Sequence, residues 1–344
     1  MKLAIVGATG VVGETILRVL DERCIAVEEL GAFASRDREH PLRWRERDWP
    51  IRAATPEALA AGAFDAVFFA SSDDASAELA ETAARSGAVV IDNSATFRMA
   101  AGVPLIIPEV NPGEVRPDDR IFPVANCTAI VLCVGVAPIA RAAGLRSIRV
   151  ATYQAVSGAG RAGLDALAEE ERAELTLEQG ICASPFAAPI FRNVIPLVGS
   201  SLDERGDSGE EKKVAEETRK MLGLPGLHVA ATTVRVPVRY AHSEAVFIET
   251  ERDTSVGELS AALAQAPGVV FHSQGIVTPR DVEGTDLVHV ARLRAEGDSK
   301  RYFQLWIVGD QVRKGAATNG VQILELLIER GYVGRERVAG GSGH

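Results

Sequence analysis

The opening stretch "KLAIVGATGVVGETILRVL", residues 2–20, restricts the fold more than any other part of the chain. An apolar, strand-like run enters a glycine turn at Gly7, and an amphipathic helical pattern follows from about Val11 to Leu20. A strand that passes so directly into a helix belongs to a sheet with parallel neighbours, because the chain must cross back over the sheet to add the next strand. The pattern repeats. Strand-like runs occur at 27–35 ("VEELGAFAS"), 65–71 ("DAVFFAS") and 88–94 ("AVVIDNS"), with a helical "DDASAELAETAARSG" between the last two. Alternation of this kind predicts a parallel sheet covered on both faces. The segment "HPLRWRERDWPIR" alternates apolar and polar residues and reads as a small inserted hairpin.

From about residue 145 the pattern changes. "LRSIRVATYQAVSG", "HVAATTVRVPVRY", "SEAVFIETE", "LVHVARLRAE" and "RYFQLWIVGD" are long, β-rich and often alternating, which predicts a largely antiparallel sheet with one covered face. Helical segments interrupt it near 160–178 and 208–222, and a last helix is expected near 314–330. The fold class is therefore α/β, with an N-terminal Rossmann-type dinucleotide-binding domain and an α+β domain. The expected boundaries are 1–125 together with 313–344, the C-terminal helix packing back, and 126–312. The tail "GGSGH" reads as disordered.

Composition narrows the function. With 344 residues, 47% hydrophobic and 24% charged, the chain is long enough for two globular domains. No apolar run reaches the ~18–20 residues that span a bilayer. Glycines break the N-terminal apolar stretch and no small-residue cleavage site follows, so no signal peptide is read and a cytoplasmic protein is expected. A net charge of −10 argues against nucleic acid or an anionic membrane as partner. A small anionic ligand would then need arginines and lysines gathered locally. Cys24, Cys127, Cys133 and Cys182 show no CxxC spacing, so neither a zinc site nor a disulfide framework is expected.

"GATGVVG" places Gly7, Gly10 and Gly13 between the first strand and its helix, a relative of the dinucleotide fingerprint. Such glycines allow a pyrophosphate to approach the helix N-terminus, although a tight turn without ligand uses the same residues. The second strand ends in Ser35 and Arg36, where an NAD site usually carries an acid. A hydroxyl and a guanidinium suit a 2′-phosphate, which favours NADP. Residues 35–52 also hold six arginines and four acids, so Arg36 fits a solvated patch equally well.

The chemistry centres on "FPVANCTAIVL", residues 122–132. Cys127 stands at the start of a helix running through "AIVLCVGVAPIARAA", where the dipole and free N–H groups favour a thiolate. Position alone leaves it open between a structural thiol and a nucleophile. Cys133, Cys24 and Cys182 read as core thiols. Gln154 ends a strand before the flexible Ser157-Gly158-Ala159-Gly160 turn. "RVPVRYAHSEAV" brings Arg235 and His242 into one β-rich stretch, and a histidine can carry a thiol's proton. Arg98 follows a buried strand in "IDNSATFRM", while Glu217 and Lys220 lie three apart on one helix face, as an exposed ion pair also would.

Taken together, "GATGVVG", "VIDNSATFRM", "IIPEVNP", "ANCTAI", "TYQAVSGAG", "NVIP", "EETRKML", "VRVPVRYAHSEAV" and "VGDQVRKGAATNGVQI" resemble, in order and over nearly the whole chain, the aspartate-semialdehyde dehydrogenase family. The resemblance implies phosphate-dependent, NADP-linked interconversion of L-aspartate 4-semialdehyde and L-4-aspartyl phosphate, within lysine, threonine and methionine biosynthesis. It implies Cys127 as nucleophile, His242 as acid/base and Gln154 as orienting amide. Arg235 would take the substrate carboxylate and Glu217 its ammonium, with Arg98, Asn126 and Lys220 on phosphate. Around the cofactor it implies Gly7, Thr9, Gly10, Val11, Val12, Ser35, Arg36, Ser71, Ser157, Gly158 and Asn319. It also implies a homodimer paired through the β-rich domains, with further assembly to a tetramer open. The chain departs from the family pattern at Ala241, where glycine is usual, at Ala125, where proline is common, and after Arg36, where a Ser-Ala-Gly run is missing. N-acetyl-glutamyl-phosphate reductase shares the plan, but its acylated substrate nitrogen would leave Glu217 without a purpose.

Overall fold

The computed structural model describes residues 1–176 and 184–333. They form two units, one comprising Met1–Pro108, Pro112–Val124 and the chain from Asn319, the other Glu109–Asn111 and Ala125–Thr318.

In the first unit, β1 (Lys2–Val6) leads through the glycine turn into α1 (Val11–Glu22), followed by β2 (Glu29–Ala34). The expected hairpin is present as β3 (Leu42–Trp44) and β4 (Arg47–Trp49), with Arg45 and Arg47 lying over the indoles of Trp44 and Trp49. Next come β5 (Ile51–Ala53), α2 (Pro56–Ala61), β6 (Ala66–Phe69), α3 (Asp73–Arg85), β7 (Val89–Asp92) and β8 (Ile121–Pro123). The strand order is β5-β2-β1-β6-β7-β8 and every neighbouring pair is parallel. Strands β6 and β7 are buried along their whole length, which is why they read as unbroken apolar runs. Local signals set the helix starts. Thr55 and Ser72 cap α2 and α3 through their hydroxyls, whereas α1 starts at Gly10 with no side-chain cap.

The second unit opens with α4 (Cys127–Ala143), β9 (Ser147–Gln154), α5 (Gly160–Thr176) and α6 (Gly209–Leu222). It continues with β10 (His228–Arg235), β11 (His242–Glu249), α7 (Val256–Ala264), β12 (Val269–His272), α8 (Pro279–Val282), β13 (Val288–Ala295) and β14 (Tyr302–Gly309). The sheet order is β10-β9-β11-β14-β13-β12. Its centre is antiparallel, as expected, but both edges run parallel to their neighbours, β10 to β9 and β12 to β13. Strand β9 alternates buried and accessible residues, the mark of a sheet with one covered face. That face holds α4, whose residues from Thr128 to Ile139 are all buried.

A π-helical turn at Arg313–Ala317 precedes α9 (Thr318–Glu329). In the first unit α9 is tied to α1 by a two-bond pair between Arg23 and Glu325, at 2.9 and 2.7 Å. One expectation fails. Cys24 is exposed, not core, because it occupies the turn after α1 with φ +53°, beyond the buried helix face. Cys133 is buried as expected; Cys182 and the "GGSGH" tail lie outside the described residues.

Candidate active site

Cys127 is the first residue of α4, and Asn126 is its cap. The Asn126 Oδ1 accepts from the backbone N–H of Thr128 at 3.0 Å and of Ala129 at 3.1 Å. A cap of this kind is worth about 1 kcal/mol and leaves the thiol in the first turn, at the positive end of a buried helix. Behind it the Asn126 N–H donates to Glu217 Oε2 at 2.5 Å. Gly315, in the π-turn, comes so close that a Cβ placed on it would lie 2.9 Å from the Cβ of Cys127.

Facing the thiol, 3.6 Å from Sγ, is Nε2 of His242, the fully buried first residue of β11. Its Nδ1 accepts from the backbone N–H of Ala155 at 3.1 Å. Burial, and then the nearby Arg235, hold the imidazole well below its ordinary range, so it is neutral at pH 7. The residue before it, Ala241, is buried with φ +67°, a left-handed conformation that costs an alanine about 1–2 kcal/mol.

Gln154 closes β9 with its Nε2 3.5 Å from His242 Nε2. Its orientation is fixed from both ends: Thr152 Oγ1 donates to Oε1 at 3.0 Å, and Nε2 donates to Glu210 Oε1 at 3.2 Å. Arg235 closes the neighbouring strand, parallel and in register with Gln154. Its Nη1 donates to the Ala155 carbonyl at 2.6 Å and its guanidinium lies 5.6 Å from the Phe186 ring. Burial works against the Arg235 charge, while Cys127 and Glu210 favour it. A buried guanidinium is suited to a carboxylate.

The structure therefore gathers Cys127, His242, Gln154, Asn126, Arg235 and Glu217 in the second unit. Lys220, one turn beyond Glu217 on α6, is half-buried; burial lowers its pKa and Glu217 raises it. Glu210 was not singled out from the sequence, although its carboxylate accepts from both Asn126 Nδ2, at 3.0 Å, and Gln154 Nε2. The available signal was its position seven residues before Glu217, two turns along the same helix face. Ser157 and Gly158 lie in a 3₁₀ turn at Val156–Ala159, where Gln311 donates to the Ser157 hydroxyl. A Cβ on Gly158 would meet Arg235 Nη1 at 2.7 Å.

In the first unit, Arg98 is held by the carbonyls of Val124, at 2.9 Å, and Asn93, at 2.8 Å. Gly7 has φ +89°, and a Cβ there would strike the Ala70 carbonyl oxygen at 2.3 Å, so only glycine allows this turn. Thr9 and Gly10 are exposed at the uncapped start of α1, followed by half-buried Val11 and Val12. The Gly10 N–H donates to the Gly7 carbonyl at 3.0 Å, and the start of a helix without a side-chain cap fits a pyrophosphate. Ser35 and Arg36 are exposed beyond β2, and the nearby Asp37 is engaged by the Ala53 N–H. The Ser71 hydroxyl, after β6, is buried with no hydrogen-bond partner among the described residues. Asn319 is fully buried in α9 and donates to the Ile106 carbonyl at 3.1 Å. Among the described residues no group of His, Cys, Asp and Glu side chains is placed to hold a metal ion, and no helix is long and apolar enough to cross a membrane.

Comparison with known proteins is consistent along the chain. Residues 2–117 match the family model for the semialdehyde dehydrogenase NAD binding domain, and residues 136–314 that for the semialdehyde dehydrogenase dimerisation domain. An aspartate-semialdehyde dehydrogenase of Aquifex aeolicus is 38% identical over 339 residues, covering 96% of this chain and 99% of that protein. Aspartate-semialdehyde dehydrogenase 2 of Vibrio cholerae is 39% identical over 331 residues, covering 95% and 97%. The crystal structure of the Vibrio cholerae enzyme II complexed with ASA superposes with a TM-score of 0.90 at 37% identity, covering 95% of this chain and 98% of that one.

Proposed function

The chain belongs to the aspartate-semialdehyde dehydrogenase family, and on that premise we propose that it interconverts L-aspartate 4-semialdehyde and L-4-aspartyl phosphate through a thioacyl bond to Cys127. The observation that carries this reading is the approach of Cys127 Sγ to His242 Nε2 at the start of α4, with Arg235 and the carboxylates of α6 around it. An amino-acid aldehyde needs a nucleophile at its carbonyl, a cation for its carboxylate and an anion for its ammonium. Cys127 and Arg235 meet the first two needs, and Glu217 is assigned the ammonium. Asn126 and Lys220 are proposed for the incoming phosphate, and Arg98 of the first unit keeps the same assignment.

NADP would accept a hydride from the substrate carbon in the oxidative direction and return it in the other. Gly7, Thr9, Gly10, Val11 and Val12 would hold its pyrophosphate, Ser35 and Arg36 its 2′-phosphate, and Ser71 and Asn319 are assigned to it in the same unit. Ser157 and Gly158 carry the cofactor assignment in the second unit. The chain is proposed to work as a homodimer. The test offers the enzyme aspartate semialdehyde and N-acetyl-glutamate semialdehyde, each with NADP or NAD, with and without phosphate. Turnover is expected only with aspartate semialdehyde, NADP and phosphate together, and Cys127→Ala should abolish it while NADP binding persists. Preferred use of the acetylated substrate, or turnover without Cys127, defeats the reading.

A further inference from the structure

We propose that Glu210 is a positioning residue for the reaction: one oxygen of its carboxylate pins the side-chain amides of Asn126 and Gln154, so that each presents a single N–H to the bound reactants. The inference rests on the functional reading above and adds a residue to it. Glu210 is the second residue of α6, a place where an acid ordinarily serves the helix start. Here another residue already does so. Ser208 caps the helix, its hydroxyl accepting from Glu211 N–H at 3.2 Å, and Glu211 Oε2 accepts in return from Ser208 N–H at 2.7 Å. The other Glu211 oxygen accepts from Thr233 N–H at 2.9 Å and fastens the same turn to β10. Glu210 thus reaches α4 and β9 from a turn anchored at residues 208 and 211.

Its Oε1 accepts from Asn126 Nδ2 at 3.0 Å and from Gln154 Nε2 at 3.2 Å. Both amides are buried, and both have their oxygen end fixed elsewhere. Asn126 Oδ1 is engaged by the N–H groups of Thr128 and Ala129, and Gln154 Oε1 by the Thr152 hydroxyl. A carboxamide has two N–H donors. One from each goes to Glu210, which leaves one from each for the site. With Glu210 gone, each amide would keep only its oxygen-side bonds and could pivot about them. Gln154 would then carry its free N–H away from the His242 side, where the two Nε2 atoms now lie 3.5 Å apart. Asn126 would carry its own away from the phosphate assigned to it. A displacement of about 1 Å is enough to lower a rate about 10²-fold.

The geometry also separates position from charge. Both bonds end on the same oxygen, so an amide in place of the carboxylate still offers an acceptor at that point, although a neutral bond is about half as strong. Glu210 also favours the charge of Arg235, and a role through that charge alone would be lost in the amide. Glu210→Gln and Glu210→Ala therefore behave differently under the two roles.

The test measures kcat and the KM of phosphate and of aspartate semialdehyde for the whole enzyme with NADP. Glu210→Ala should lower kcat about 10²-fold and raise the phosphate KM about 10-fold, and Glu210→Gln should restore kcat to within about 10-fold of wild type. In a Gln154→Ala background the kcat loss from Glu210→Ala should largely vanish, because both substitutions remove the same oriented N–H. An Asn126→Ala background should likewise absorb the change in phosphate KM. Equal losses in Glu210→Gln and Glu210→Ala overturn the proposal, as do losses that multiply in the double variants or wild-type kinetics in Glu210→Ala. A wild type inactive on the semialdehyde defeats the functional reading instead. Glu210 is then judged without substrate, as it is should Glu210→Ala not fold, by ¹⁵N NMR of wild-type side-chain amides labelled at Asn and Gln. One proton of Asn126 and one of Gln154, each signal identified by its loss in the alanine variant, should be shifted downfield by the carboxylate. Two unshifted amides overturn the proposal.

Discussion

Ala241 shows how one residue can fit its family's pattern in role and depart from it in chemistry. The position requires φ +67°, which glycine adopts freely and alanine does not, and it directly precedes His242. The strain persists because Ala241 is packed beside Val277, Val282, Ala291 and Val308. Ala241→Gly should therefore stabilise the protein by about 1 kcal/mol, measured by urea unfolding, because the relieved strain exceeds the glycine's extra unfolded-state entropy. A loss of stability would show that the methyl group's packing outweighs its strain. From sequence the departure at 241 was visible, but not its sign, since φ is a property of the turn. Cys127 was equally ambiguous by itself, and became legible only with Gln154, Arg235 and His242 from other segments. Glu210 stayed hidden because an acid in a helix's first turn is already explained by the dipole.

At the scale of elements, the strand–turn–helix units of the first sheet were readable because each carries its own local signal: an apolar run, a glycine or a capping hydroxyl. The parallel edges of the second sheet were not, since alternation reveals a covered face and says nothing of a neighbour's direction. Strand β12 was missed for a related reason: its four residues are all half-buried and show no alternation. The π-turn before α9 was also invisible, reading as an ordinary helical start. It matters because it carries the Gly315 backbone against the first residue of α4, whose Cβ would lie 2.9 Å from any Cβ at 315. The three nearest atoms are the Cβ, Cα and carbonyl oxygen of Cys127, so no side chain can rotate away. Gly315→Ala is expected to shift Cys127 relative to His242 and to lower kcat about 10²-fold, with a smaller effect on KM. The overpacking itself should cost about 1–3 kcal/mol. Unchanged kcat in a destabilised variant would mean that strain is absorbed by the turn and does not reach the nucleophile.

Across the whole molecule, stability should depend on pH through Glu244, a residue the chemistry does not use. It lies two residues beyond His242 on the covered face, is fully buried, and neither carboxyl oxygen has a hydrogen-bond partner among the described residues. Burial raises its pKa well above the ordinary 4.5, and its charge when ionised disfavours the buried Cys133 thiolate nearby. Folded protein thus keeps a proton that the unfolded chain releases above about pH 4.5. In that window the native state binds more protons, so stability falls as pH rises, by about 1.4 kcal/mol per pH unit for a single group, until Glu244 ionises in the folded state. His242 acts with the opposite sign: its lowered pKa removes stability as pH falls below 6.5. The two effects separate in a difference experiment. Glu244→Gln cannot ionise, whereas His242 and every other group titrate in both proteins, so the stability of the variant relative to wild type should grow steadily above about pH 4.5 and then level off. Urea unfolding from pH 4 to pH 9 would read it directly. A difference that stays flat across that range would place Glu244 in its ordinary ionised form and require a donor beside it that the fold does not provide among the described residues.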